Sequence, residues 1–176
     1  MVDEDAIDET LLAQYQQKLV ALNYDGFGTV AALVLSPKPN QHDFVPSLRV
    51  IPETGVEGQY PGKQWWRGRR IPGRQISAMN AEVLDALGVE YDIPGDNLII
   101  RGIDLAQFAP RDTLRVGDAL LLVTPTPHRP CSKFARRTSL TQKTAIIPGK
   151  LRGLLLDARE PSTISVGDSV ERLILP

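Results

Sequence analysis

Cys131 is the only cysteine in the chain, and cations crowd the sequence around it: His128, Arg129, Lys133, Arg136 and Arg137. A thiol reacts as its thiolate, and nearby positive charge favours that form, pulling a cysteine below its ordinary pKa of about 8.5. Pro130 and Ser132 suit the first turn of a short helix running through Arg137. That helix would set Cys131 at an N-terminus, where unpaired N–H groups and the dipole favour an anion. The competing reading is a small buried core residue, the usual fate of free cysteine. His128 is open to two readings as well, a base or anion-orienting group beside the thiol and a solvent-facing loop imidazole.

Composition narrows the chemistry. At 176 residues, with 42% hydrophobic and 23% charged residues, the chain has the makings of one globular domain with its own core. One cysteine excludes an internal disulfide and an iron–sulfur cluster held by this chain alone. A zinc site would need carboxylates, because His42, His128 and Cys131 are the only soft ligands. The first ten residues are acidic and lack the basic-then-apolar pattern of a secretion signal. The longest apolar run, Val30 to Leu35, is too short to span a bilayer. These features lead us to expect a cytoplasmic protein with no membrane association.

The net charge is −1, yet the charge is unevenly spread. Asp3, Glu4, Asp5, Asp8 and Glu9 make an acidic start. Two acid-free basic stretches follow: Lys63, Arg67, Arg69, Arg70 and Arg74, then His128 through Arg152 with Arg129, Lys133, Arg136, Arg137, Lys143 and Lys150 between. If the two meet in space they build a site for an anionic small molecule; apart, each is a solvated loop.

Elements that position these groups can be read from periodicity. Leu11, Tyr15, Leu19 and Leu22 share one face of a helix over 8–23. Strands are expected over 29–35, 48–51, 74–79, 97–101, 151–157 and 170–175. Residues 53–58 form a turn, and 59–74 show little regular character. Asn80 is placed to cap a helix over 81–87 that Gly88 ends. Gly117-Asp118 joins 114–116 to 119–124 as a hairpin, and Val116-Gly117-Asp118 recurs as Val166-Gly167-Asp168, reused turn chemistry. Many short strands with few helices indicate a mainly β, antiparallel barrel-like fold with peripheral helices. We expect residues 1–25 to form an N-terminal helix packed on a barrel domain of 26–176.

Other constellations carry less. Trp65 and Trp66 among Arg67, Arg69 and Arg70 resemble a base-stacking platform, but the chain lacks the basic excess of a nucleic-acid-binding module. No phosphate-loop spacing and no strand–turn–helix serine motif is present. Asn97, just after the Gly95-Asp96 turn, is placed either to bind a ligand or to make turn hydrogen bonds.

From Glu53 onward, the order of segments resembles the MOSC domain, found at the C-terminus of molybdenum cofactor sulfurases and as stand-alone proteins. The segments are Gly73-Arg74-Gln75-Ile76-Ser77, Asn80 to Gly88, Pro94-Gly95-Asp96-Asn97-Leu98, Gly102-Ile103-Asp104-Leu105, Leu114 to Leu120, and Val123-Thr124 leading to Pro130-Cys131. The resemblance implies a β-barrel-like fold with its cysteine, here Cys131, at the working site. That cysteine would carry a persulfide sulfur for cofactor assembly, or ligate molybdenum in members that reduce N-hydroxylated compounds. Arg74 and Asn97 match positions lining the same pocket. The charges of His128, Arg129, Lys133 and Arg136 suit the phosphate of molybdopterin.

The chain departs from the family after Gly58, where an Asp and a His are common and Gln59, Tyr60 and Pro61 stand here. There is no room for a pyridoxal-phosphate desulfurase, so sulfur would come from a separate cysteine desulfurase or pass to a molybdoenzyme partner. A reductase would draw electrons from outside the chain. Three functions result: a sulfur carrier or molybdenum-cofactor-binding domain, a molybdenum-dependent reductase, and a non-catalytic anion-binding module.

Overall fold

In a computed structural model, which describes residues 6–173 apart from 64, 67 and 68, the first regular element is helix α1, Glu9–Val20. The carboxylate of Asp8 caps it by accepting from the Leu11 N–H at 2.9 Å, satisfying one of the donors a helix start leaves unpaired. Leu19 is buried on its inner face, and Leu12, Tyr15 and Leu22 pack into the same cluster.

The chain then forms β1 (Gly28–Leu35), β2 (Asp43–Phe44), β3 (Ser47–Ile51) and β4 (Gly55–Val56). A 3-10 turn at Pro61–Lys63 precedes a small hairpin of β5 (Trp65–Trp66) and β6 (Arg69–Arg70). The unit β7 (Ile76–Asn80), α2 (Ala81–Leu87), β8 (Leu98–Arg101) follows, then the hairpin β9 (Thr113–Val116) and β10 (Ala119–Val123). After it come α3 (Ser132–Arg137), α4 (Leu140–Ala145), β11 (Leu154–Ala158), β12 (Ser162–Ser165) and β13 (Ser169–Leu173).

Among the described residues seven strands close a barrel in the order β13-β9-β10-β11-β7-β8-β1, with β1 pairing back to β13 and β2 extending from β1. Closure leaves few free edges. Alternation sorts the side chains: Ile76, Ala78, Leu98 and Ile100 point into the barrel with Val30, Leu114, Leu121 and Leu156. Met79 and Ile99 point the other way, into a second cluster with Leu84 and Leu87 of α2, Phe134 of α3, and Ala145 and Ile146. Strands buried on both faces read as continuous apolar runs, which explains Leu98-Ile99-Ile100. A separate sheet of β12, β3 and β4 packs its Leu48, Val50, Val56 and Ile164 on the barrel interior.

The mainly antiparallel barrel with peripheral helices is as the sequence predicts, with local differences. β7 and β8 run parallel, because the intervening α2 carries the chain back over the sheet. Residues 59–74 hold the 3-10 turn and hairpin where little regular structure was expected. Helix α4 was not anticipated, since six residues are too few for a hydrophobic period to show. The Gly117-Asp118 turn joins paired strands as expected. Val166-Gly167-Asp168 instead hands the chain from β12, paired with β3, to β13 in the barrel.

Asn80 begins α2, and Gly88 ends it at φ 65°, but the Asn80 side chain makes no cap. Its Nδ2 donates to the carbonyls of Ile103 at 2.7 Å and Ile100 at 3.3 Å, while Oδ1 accepts from the Leu105 N–H at 3.0 Å. The amide thus pins the end of β7 to the chain leaving β8. Asn80→Ala leaves these buried groups unpaired and should lower unfolding free energy by about 2–4 kcal/mol. Urea denaturation reads this directly, and a loss under about 1 kcal/mol would contradict it.

Candidate functional site

The site begins at the turn before β8. Gly95 takes a left-handed φ of 75°, and the next residue, Asp96, is 1% exposed. Asp96 Oδ2 accepts from Arg152 Nη1 at 2.5 Å, and Oδ1 lies 3.8 Å from His128 Nε2. Arg152 is itself buried, its guanidinium 5.0 Å from the centre of the Phe134 ring. Cation–π contact and ion pairing together neutralise a charge that burial would otherwise make costly. Arg152, grouped by sequence with a surface basic stretch, is turned inward and takes no part in an exposed anion site.

Asn97 is also 1% exposed. Its Nδ2 donates to Val34 O at 3.1 Å and Gln59 Oε1 at 3.0 Å, and its Oδ1 accepts from the Ser77 N–H at 3.2 Å. Of its two sequence readings, the structural one describes these contacts: Asn97 ties β1, β7 and the Gln59 segment together beneath the site. Gln59, one of the residues departing from the family pattern, serves the same clasp by also accepting from the Ser36 N–H.

Above this floor lies α3. Cys131 occupies its N-cap position in extended backbone and is exposed, so the buried-core reading of the thiol does not hold. With six residues, α3 has under two turns and a small dipole; the local field comes chiefly from side chains. Arg137 is one of these, interacting electrostatically with Cys131. Its Nη1 donates to Pro94 O at 3.0 Å. Burial lowers its pKa, while Cys131, Asp96 and Tyr60 favour its charged form and Arg152 opposes it. A guanidinium stays protonated under such pressure, and here it lies within electrostatic reach of the thiol. Sequence reading placed Arg137 in the basic run without giving it this bridging position.

Beside α3 is an open hollow of about 450 Å³ lined by Asn40, His42, Ile93, Lys133, Arg136 and Arg137. Lys133 and Arg136 therefore come together as predicted site residues, whereas His42 arrives from the loop between β1 and β2. Nothing in the sequence near His42 signals that placement. Arg129 and Arg74 are exposed and do not line this hollow. Among its described residues the first basic stretch contributes none to this hollow; its Gly73 carbonyl accepts from Thr124 Oγ1 at 3.1 Å, in the segment that leads toward His128. Arg67 lies outside the described residues. A second hollow, of about 430 Å³, is lined by Phe44, Asp85, Glu90 and Tyr91 among others. Its charge is wrong for an anion.

Among the described residues no group of three or more His, Cys, Asp and Glu is arranged to hold a metal ion. No helix of the described residues is long and apolar enough to cross a membrane.

Breaking the buried pair should be expensive. Asp96→Asn strands the Arg152 charge and should lower stability by about 3–5 kcal/mol, whereas Asp85→Asn, which removes the exposed bridge to Arg101, should cost under about 1 kcal/mol. Denaturant titration of both variants checks this; equal losses would contradict it.

Comparison with known proteins follows from this geometry. A family model described as the MOSC domain matches residues 67–171, a span that includes Arg74, Asn97 and Cys131. No protein with a curated description matches the sequence. Among solved structures, the YuaD protein from Bacillus subtilis superposes with a TM-score of 0.66 at 17% identity, over 82% of this chain and 94% of that one. YiiM from Geobacillus stearothermophilus gives a TM-score of 0.62 at 18% identity, over 84% of this chain and 75% of that one. YiiM from Escherichia coli gives 0.59 at 22% identity, over 84% and 71% respectively. At such identities the likeness is one of fold, but the family match spans more than half the sequence and reaches through the site: the chain belongs to the MOSC domain family.

Proposed function

We propose that Cys131 is the working atom of a domain that handles the molybdenum cofactor, either accepting a sulfane sulfur or ligating the metal. The observation that supports this most is an exposed thiol in electrostatic reach of the half-buried Arg137, whose guanidinium also lines the basic hollow. Thiolate is a soft ligand suited to both tasks. The donor set fits the cofactor: Lys133, Arg136 and Arg137 would hold its phosphate through charge-assisted hydrogen bonds, with Cys131 at the adjacent end of α3. When bound, the group supplies the redox chemistry of its metal; the chain supplies the soft ligand and the countercharge.

Sulfur transfer needs little more from these residues. The Cys131 thiolate attacks the outer sulfur of a donor persulfide, the donor S–S bond breaks, and the donor cysteine leaves as thiolate. The product is a persulfide on Cys131, with no net oxidation. The donor is a pyridoxal-phosphate-dependent cysteine desulfurase, a separate protein, and the acceptor a molybdoenzyme. A single free thiol suits the reducing cytoplasm. A second reading, an anion-binding module without catalysis, draws on the acid-free lining of the hollow. It predicts that Cys131→Ser keeps all function.

Intact-protein mass spectrometry with elemental analysis, on protein from a cofactor-competent host, separates these readings. The wild type should carry either a reductant-sensitive extra sulfur or molybdenum, and Cys131→Ser should lose both. Molybdenum together with reduction of an N-hydroxylated compound would identify the reductase. Sulfur and molybdenum contents unchanged by the substitution would contradict a role for Cys131.

A further inference from the structure

Phe44 pairs with Val34 of β1 and yet leaves 58% of its surface exposed. It lines the second hollow, of about 430 Å³, together with Asp85, Gly88, Val89, Glu90 and Tyr91. Nothing proposed for Cys131 uses these residues.

Tyr91 is held in place within the chain itself. Its hydroxyl donates to Asp85 Oδ1 at 2.9 Å and accepts from Arg101 Nη2 at 2.5 Å. The same nitrogen donates to Asp85 Oδ2 at 2.7 Å. These bonds hold the tyrosine side chain and balance the Asp85 charge with that of Arg101. Burial, and then Asp85, push the Tyr91 pKa up, so the phenol is neutral around pH 7. Glu90 is exposed and makes no ion pair among the described residues. Helix α2, which ends at Gly88, has no basic residue in its last turn. The hollow thus combines two aromatic residues with one uncompensated negative charge.

We propose that this hollow receives one guanidinium group, the side chain of an arginine on the protein that docks to bring sulfur to Cys131 or to take it away. Naming that partner rests on the sulfur-carrier reading of Cys131; the cation site rests on the hollow alone.

The chemistry selects arginine. A flat guanidinium stacks on aromatic faces and binds a carboxylate through two parallel N–H groups. An ammonium has neither the plane nor the fork. One unpaired carboxylate balances one such cation. The position suits a docking contact, because the same two segments build both hollows. Asn40, His42 and Ile93 line the basic one, whereas Phe44 and residues 88–91 line this one. A protein seated at the basic hollow therefore has Phe44 and Tyr91 beside it.

Titration of isotope-labelled protein with N-acetyl-arginine amide at constant ionic strength, read by the amide shifts of Gly88, Glu90 and Tyr91, tests the site. N-acetyl-citrulline amide keeps the shape without the charge and should bind about tenfold more weakly. Glu90→Gln should keep its unfolding midpoint and lose about tenfold in arginine affinity, and Phe44→Leu about threefold. Cys131→Ser should bind as the wild type does. For the docking role, Glu90→Gln purified from the same host should carry several-fold less persulfide on Cys131 than the wild type. It should still take sulfur from glutathione persulfide at the wild-type rate.

Equal binding of the arginine and citrulline amides, or full affinity in Glu90→Gln, overturns the cation site and leaves the role of Cys131 standing. Equal affinity for N-acetyl-lysine amide overturns the choice of a guanidinium. Equal persulfide loads in the wild type and Glu90→Gln overturn the docking role. A wild type without persulfide removes the sulfur-carrier reading and with it the named partner, while the arginine titration still decides the site.

Discussion

The ion pair between Asp96 and Arg152 is the constraint around which this site is assembled. It joins the turn between α2 and β8 to the segment between α4 and β11, and both residues are almost wholly buried. A pair so placed repays its desolvation only with good geometry and further partners. Here those partners are the Phe134 ring over the guanidinium and His128 near the second carboxylate oxygen. Phe134 is the buried anchor of α3. Charge pairing below and aromatic packing above therefore fix where α3 sits, and with it where Cys131 is presented.

From that arrangement the cations divide into three roles. Arg152 is internal and neutralised. Arg137 spans the boundary, bound to Pro94 O and in reach of both Asp96 and the thiol. Lys133 and Arg136 face outward into the hollow. One basic sequence thus supplies structural glue, a bridging charge and a ligand surface, and only burial distinguishes them. A chain with net charge −1 achieves a local positive site by position rather than by overall excess.

Much of this was readable before any coordinates. The barrel strands announced themselves through β-branched apolar runs between glycine turns, and the Gly117-Asp118 hairpin through its two-residue connection. The short helix after Cys131 followed from Ser132, whereas Pro130, expected in its first turn, precedes the N-cap. Other features depend on contacts distant in the chain. Asn80 has the right type and place for a helix cap, but its amide finds better partners in the carbonyls beyond β8. The inward turn of Arg152 depends on Asp96, which lies 56 positions away, a pairing no local pattern reveals. His42 enters the site through an irregular loop, where periodicity says nothing.

The central claim is that the thiol of Cys131 lies in a positive local field set by side chains. The most direct measurement compares its alkylation by anionic iodoacetate and neutral iodoacetamide, each referred to a cysteine in an unstructured peptide. A positive field should raise the iodoacetate-to-iodoacetamide rate ratio well above the peptide's. Added salt should return it toward that value. Arg137→Gln should lower it. A ratio equal to the peptide's at low salt, and insensitive to salt, would contradict the account.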